Sequence, residues 1–291
     1  MNLKEANHLE FVSNFDTFLF DCDGVIWQGN DLIPGVKQVL LELRKLNKQI
    51  LFVSNNSTKS RKSYLKKFES LGIQASVDEV FGSAYCAAYY MKHQLAFPPN
   101  KQVYVVGMHG ICDELESQGI KYCGSSDDNE NIKDMAHIGD IKHESDVGAV
   151  LFGFDVDLNY KKLAKAFTYL QDRDCLFLAT NSDLTYPAAG TIFPGTGALL
   201  AALSAPLERQ PIVLGKPHQT MLDCIVDSKH LNRERTCMVG DRLDTDIAFG
   251  KLGKLKTLLV MTGVTNQETL NKTDTIPDYV IDSLGSLKLI N

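Results

Sequence analysis

The sequence predicts an α/β protein: a doubly wound, mostly parallel sheet with a second α/β domain inserted into it. Three observations predict this. Short, almost wholly apolar runs alternate with amphipathic helical spacing, which implies parallel strands joined by crossovers. The rhythm breaks at Pro98-Pro99 and restarts with strands and helices of its own. It breaks again near Glu208, after which the first pattern resumes. The expected division is therefore 1–97 and 209–291 for the first domain and 98–208 for the insertion.

Met1 to Asn14 reads as a polar, partly helical lead-in. Phe15 to Phe20 is a buried strand by composition, and Gly24 turns the chain out of it. The stretch I-W-Q-G-N-D-L-I-P-G reads as a turn-rich flap, and Pro34 opens a helix from Val36 to Leu46. A second apolar strand, Gln49 to Val53, ends in Ser54-Asn55-Asn56-Ser57-Thr58, and a helix follows that stops at Gly72. Ser83 to Leu95 is helical by spacing. Inside the insertion the expected order is strand Gln102–Val106, helix Gly110–Gln118, a loose acidic stretch Gly124–Asp146, strand Gly148–Phe154, helix Tyr160–Leu170 and strand Cys175–Ala179. Next comes a long turn-rich segment, Thr180 to Gly197, of a kind that is often functional, and a helix resumes from Gly195 to Ala205. The first domain is expected to resume with a strand Pro211–Leu214, Gly215-Lys216-Pro217, a helix His218–Lys229 and strands Thr236–Val239, Leu255–Val260 and Tyr279–Ile281.

At 291 residues, 44% hydrophobic and 23% charged, the chain has enough apolar mass for one large or two ordinary domains. Its net charge of -6 gives no general attraction to nucleic acid or anionic membrane, so an anionic substrate must meet a local cationic site. No apolar run approaches a membrane span, and the first residues lack a signal-peptide core. Seven scattered cysteines without a C-x-x-C pair point to a reducing, intracellular setting rather than to a disulfide or zinc framework. The expected location is cytoplasmic, with the nucleus also compatible.

The chemistry is concentrated at strand ends. F-D-T-F-L-F-D-C-D-G delivers Asp21 and Asp23, two acids one residue apart, which suits a hard divalent ion with oxygen ligands. D-x-D-G also reads as a plain turn. Ser54, Asn55 and Asn56 offer a hydroxyl and amides for an oxyanion, or else cap the following helix. Lys216 between Gly and Pro is either a solvated residue or a cation held near those acids. Asp241 leaves its strand as Asp21 does and reads as a metal ligand. Asp246 either orients Lys216 or a metal-bound water, or answers a helix N-terminus. In open α/β sheets such rims collect ligands.

With Asp-x-Asp-Gly, Ser-Asn, Lys and Gly-Asp-x-x-x-x-Asp in this order, the chain resembles the haloacid-dehalogenase-superfamily phosphatases over nearly its whole length. D-C-D-G-V-I-W, V-S-N-N-S-T-K-S-R, G-K-P and G-D-R-L-D-T-D-I resemble the branch of p-nitrophenyl, phosphoglycolate and pyridoxal phosphatases, whose Rossmann-like core carries a large α/β cap. The resemblance implies Asp21 as nucleophile forming an aspartyl phosphate, and Asp23 as acid and then base. It implies Mg2+ held by Asp21, the Asp23 carbonyl and Asp241, and phosphate held by Ser54, Asn55, Asn56 and Lys216. It implies a small phosphorylated metabolite as partner, no nucleic acid or membrane, and pairing of two copies through the cap. The segment Thr180–Gly190, with Asn181, Asp183 and Tyr186, is the expected specificity loop, although it also reads as a surface loop. It lacks the His of the pyridoxal phosphatase loop.

Other residues are set aside. The seven histidines show no metal-ligand spacing. Cys22, between the two acids, reads either as a thiol whose oxidation blocks the site or, in the favoured reading, as a packing residue whose acidic neighbours blunt its reactivity, and Trp27 as flap lining or core cover. The rival readings are a pyridoxal phosphatase or phosphotransferase with the same intermediate and, from another class, a receiver-like signalling module. Asp23 argues against a receiver, which gains nothing from an acid that hastens loss of its phosphate.

Overall fold

The structure is a computed structural model that describes residues 3, 7–188 and 191–289, with backbone only at 135, 137, 187 and 188. Most of the lead-in before residue 7, and Ala189 and Gly190 of the expected specificity loop, lie outside the described residues. In chain order the strands are β1 (Thr17–Phe20), β2 (Trp27–Gln28), β3 (Asp31–Leu32), β4 (Gln49–Ser54), β5 (Val80–Gly82), β6 (Gln102–Val106), β7 (Tyr122–Gly124), β8 (Val147–Phe152), β9 (Leu176–Ala179), β10 (Thr185–Ala188), β11 (Thr191–Pro194), β12 (Ile212–Val213), β13 (Thr236–Gly240), β14 (Lys256–Val260) and β15 (Tyr279–Ile281).

They divide between two compact units. The first comprises Met1–Ser54, Tyr64–Phe81 and Lys216–Asn291, and the second Asn55–Ser63 and Gly82–Gly215.

The first unit is built on a six-stranded sheet of order β15-β14-β13-β1-β4-β5. β1 runs parallel to both β13 and β4, and all four of its residues are buried. An aromatic column locks this centre. Phe18 stacks on Phe20 at 5.9 Å, Phe52 meets Phe68 of helix Arg61–Ser70 at 4.3 Å, and Trp27 meets Phe68 edge-on at 5.1 Å. Truncating such a ring to Ala costs about 3–5 kcal/mol.

The second unit is built on a five-stranded sheet, β12-β9-β8-β6-β7, parallel at every pairing. Successive strand side chains point to opposite faces, and both faces are covered. Val103, Val105, Ala149 and Leu151 pack with Ala84, Ala87, Ile111 and Leu115. Tyr104, Val106, Val150 and Phe152 pack on the other face with Ala166, Leu170, Leu200 and Leu203.

Several expectations are corrected. The junctions fall at Phe81/Gly82 and Gly215/Lys216 rather than at 97/98 and 208/209. The cause is packing: helix Ser83–Tyr89 buries its alanines against β6, and β12 extends the second sheet beside β9. Pro98-Pro99 is thus a turn within the second unit. The helix expected to reach Leu95 is α-helical only to Tyr89 and continues as a π turn over Tyr90–Gln94. The segment after Thr180 is not irregular throughout, because β10 and β11 form an antiparallel hairpin.

After Gly124, the last residue of β7, the acidic stretch to Asp146 contains 3₁₀ turns but no strand among its described residues. Three lysines of helix Tyr160–Leu170 hold it. Lys161 and Lys165 each reach Asp128 at 2.8 Å, Lys165 reaches Glu144 at 2.8 Å, and Lys162 donates to Asn129 Oδ1 at 2.6 Å. Tyr104 donates to Asp128 and Tyr169 to Glu144. No described helix is long and apolar enough to cross a membrane.

Candidate active site

Strand register brings the expected residues of the first unit to one rim. Phe20 is level with Phe52 of β4 and Val239 of β13. Two residues further on, Cys22 and Asp241 therefore emerge level with Ser54, the last residue of β4. The Asp21 N–H still donates to the Val239 carbonyl at 2.9 Å. Lys216 does not come off this sheet as expected. It follows β12 of the second sheet as the first residue of the returning chain, and its buried ammonium completes the cluster.

Lys216 Nζ lies 2.5 Å from Asp21 Oδ1, 2.7 Å from Asp246 Oδ1 and 3.0 Å from the Val53 carbonyl. Asp246 Oδ2 accepts from the backbone N–H groups of Asp241 and Arg242 at 3.2 and 3.1 Å. Both Asp246 oxygens are thereby committed. Asp241 Oδ2 accepts from the Val264 N–H at 2.6 Å, and the Asp241 carbonyl accepts from Thr265 N–H at 3.1 Å. Two glycines make room for that carboxylate. A Cβ at Gly24, whose φ is +84°, would come 2.7 Å from Asp241 Oδ2, and one at Gly263 would overlap the same oxygen.

Three acids here face one ammonium. Burial pushes the Asp21 carboxyl well above its ordinary value; Lys216 opposes this, while Asp246 and Asp241 add to it. Asp241 is pushed up to about 7, first by burial and then by Asp246. Burial works against the charge of Lys216, but Asp21 and Asp246 more than reverse it and raise its pKa.

The donor set fits a hard cation. Asp21, Asp241 and Asp246 each place a carboxylate oxygen within 4.8 Å of the others, those of Asp246 being already engaged by Lys216 and backbone N–H groups. Asp21 Oδ2 and Asp241 Oδ1 accept no hydrogen bond among the described residues, so two carboxylate oxygens remain for a metal. Oxygen donors without nitrogen or sulfur suit Mg2+, Ca2+ or Mn2+.

Asp23 stands at the edge of the cluster. Its Oδ1 accepts from the Trp27 indole N–H at 2.8 Å, and Lys67 Nζ is 4.0 Å away. Ser54 is buried, with its hydroxyl 2.8 Å from that of Tyr64.

The other expected residues belong to the second unit. Asn55 donates through Nδ2 to both oxygens of Asp183 at 3.1 Å, and its carbonyl accepts from Asn181 Nδ2 at 2.9 Å. Asn56 turns inward on its own strap, accepting from the Thr58 N–H and hydroxyl. Tyr186 is on β10, half exposed, with its ring 5.7 Å from Phe154. Sequence reasoning gave no role to Val264, Tyr64 or Lys67. Val264 acts through its backbone, which no residue type reveals.

Residues 18–121 match the haloacid dehalogenase-like hydrolase family, and residues 213–287 match the HAD-hydrolase-like family. A 4-nitrophenylphosphatase of Schizosaccharomyces pombe is 45% identical over 96% of this chain and 95% of its own length. The chain belongs to the haloacid dehalogenase-like hydrolase family. Within that family it falls in the phosphatase branch and is a phosphoric monoester hydrolase. Phosphoglycolate phosphatase 1A of Arabidopsis thaliana is 43% identical to this hydrolase over 97% of the chain and 78% of its own length. The mouse glycerol-3-phosphate phosphatase is 40% identical, over 95% and 91%. Among solved structures, the p-nitrophenyl phosphatase from Archaeoglobus fulgidus superposes with a TM-score of 0.81 at 30% identity, covering 93% of this chain and 97% of its own. The Mycobacterium tuberculosis glycerol phosphate phosphatase in complex with magnesium gives 0.78 at 27% identity, over 95% of this chain and 77% of that one.

Proposed function

We propose that this hydrolase is a Mg2+-dependent phosphatase of small phosphate monoesters that works through an aspartyl phosphate on Asp21. The observation that carries the reading is the Lys216 ammonium, buried between Asp21 and Asp246 at 2.5 and 2.7 Å. A phosphate dianion nearing the Asp21 carboxylate is repelled unless fixed positive charge offsets it, and such charge acts strongly where water is excluded. Lys216 supplies one such charge and Asp246 holds it in place. Asp21, Asp241 and the Asp23 carbonyl would hold Mg2+, which when bound neutralises phosphoryl charge.

In the first step an Asp21 oxygen bonds to phosphorus and the ester P–O bond breaks, while Asp23 gives its proton to the departing oxygen. In the second, Asp23 takes a proton from water, whose oxygen bonds to phosphorus as the bond to Asp21 breaks. Carboxylate, protonated Asp23 and inorganic phosphate result. Splitting the displacement in this way replaces one difficult step with two easier ones. Ser54, Asn55 and Asn56 are assigned to the phosphoryl oxygens.

The inserted unit, with Asn181, Asp183 and Tyr186, is assigned to ester selection. 4-Nitrophenyl phosphate is the expected substrate in vitro, and phosphoglycolate-type metabolites are the expected class. The exposed apolar side chains Leu184, Tyr186, Ile192 and Phe193 support pairing of two copies through that unit.

The test is steady-state hydrolysis of a panel that includes 4-nitrophenyl phosphate, phosphoglycolate, glycerol 3-phosphate and pyridoxal phosphate, with and without Mg2+. Asp21→Asn is expected to abolish turnover in a folded protein. The wild type, quenched in acid during turnover, is expected to carry one phosphoryl group on Asp21. Substantial hydrolysis by the folded variant would remove Asp21 as nucleophile.

A further inference from the structure

We infer that Trp27 is the positioning residue of Asp23, fixing both the direction of its carboxyl group and the oxygen that carries the proton. The inference rests on the reading of Asp23 as acid and base. The Asp23 side chain is 57% exposed. In water an aspartate so exposed exchanges among staggered rotamers, and an acid that must meet a leaving oxygen loses rate whenever it points elsewhere.

Trp27 is the opposite kind of group. It is wholly buried, edge-on to Phe68 at 5.1 Å and 6.3 Å from Tyr64. Its backbone is tied to the acidic turn at both ends: Gly24 N–H donates to the Trp27 carbonyl at 2.7 Å, and Trp27 N–H to the Cys22 carbonyl at 3.2 Å. The indole N–H is therefore a donor that cannot wander. It reaches Asp23 Oδ1 at 2.8 Å. Lys67 strengthens the arrangement, with Nζ 4.0 Å from the indole centroid and 4.0 Å from the same Oδ1, and it is itself held by the Gly29 carbonyl at 2.9 Å.

The choice of oxygen follows from donor and acceptor rules. An indole nitrogen only donates. When Asp23 is protonated, the oxygen facing that donor keeps acceptor character, and the proton sits on Oδ2. The bond thus leaves one oxygen anchored and the other free to give or take a proton.

The chain has one tryptophan, so replacing all tryptophan during expression alters position 27 alone. The benzothiophene analogue keeps the ring's shape and exchanges N–H for sulfur. Its effect is read as kcat/KM, which stops at departure of the leaving group, on a monoalkyl phosphate and on 4-nitrophenyl phosphate. An alkoxide needs an acid, whereas 4-nitrophenolate hardly does. A general acid contributes about 100-fold or more, so its misplacement is expected to lower kcat/KM on the alkyl ester about ten-fold more than on the aryl ester. Trp27→Phe should show the same bias.

Equal losses on both esters in both proteins would reduce Trp27 to core packing and overturn the inference. Asp23→Asn separates the two levels. If it lacks the leaving-group bias, the acid role of Asp23 fails, and the inference falls with it. If it shows the bias and the tryptophan variants do not, only Trp27 is refuted. The lone indole N–H resonance reads the bond without activity. It is expected to move in Asp23→Asn and to stay in Glu268→Gln, and an unmoved resonance in Asp23→Asn would refute the hydrogen bond.

Discussion

Lys216 donates to Asp21 across 195 residues of sequence, at 2.5 Å and from a position 2% exposed. No local signal pairs these two residues; the fold does. Because the ammonium is shared with Asp246, Lys216→Met leaves the buried Asp246 carboxylate and the partly buried Asp21 carboxylate facing each other without a counter-charge. Breaking a buried pair in this way costs about 3 kcal/mol or more. Activity is expected to fall on the order of 100-fold or more, as when a charge-stabilising donor is lost. Denaturant unfolding and kcat measured together check both. A variant with wild-type kcat would remove Lys216 from the phosphoryl site.

Gly263→Ala tests how Asp241 is held. The added methyl overlaps Asp241 Oδ2, the oxygen fixed by the Val264 N–H. Mg2+ affinity, read by titration calorimetry and by the rise of Tm with added Mg2+, is expected to drop about ten-fold. Unchanged binding would mean that the metal does not use this carboxylate.

Asp183→Ala removes both bonds to Asn55 Nδ2. If the loop selects esters, KM ratios across the substrate panel should shift several-fold, while hydrolysis of the aspartyl phosphate changes little. A uniform loss on every ester would assign the loop to folding alone.

Asp278 sets an acid limb of stability. Burial pushes its carboxyl up, but hydrogen bonds from Lys251, Thr257 and Lys256 more than reverse this and bring it from 3.8 to about 2. A folded-state value below the unfolded one stabilises the protein above about pH 4, and that contribution is lost as the pH falls towards 2. Asp278→Asn should therefore be less stable than wild type at pH 7, and the gap should close by about pH 2. A gap that persists at pH 2 would point to lost hydrogen bonds rather than lost charge.

Much of this was legible because it is written in runs. An almost wholly apolar T-F-L-F ending in D-C-D-G marks both a central parallel strand and its acidic rim, and T-C-M-V-G-D does the same for Asp241. Short elements were less legible. Ile212–Val213 is too brief to have a period, so its composition does not say which sheet it joins. T-Y-P-A and T-I-F-P form a hairpin without alternation, since all four residues of the second strand are exposed. The acids between Gly124 and Asp146 suggested a loose stretch because the lysines that hold Asp128 and Glu144 lie on a later helix. Trp27 showed its size to composition, but its direction only to the fold.

The strap Asn55–Ser63 belongs to the second unit, although the strand before it and the helix residues after it belong to the first. Arg61 secures it through Glu114 at 3.0 Å and by stacking 3.4 Å over Tyr85. A chimera that exchanges only residues 82–215 with a relative would therefore graft a foreign body onto an unmatched strap. Domain transplants between these hydrolases should carry nine residues from early in the chain along with the contiguous insert.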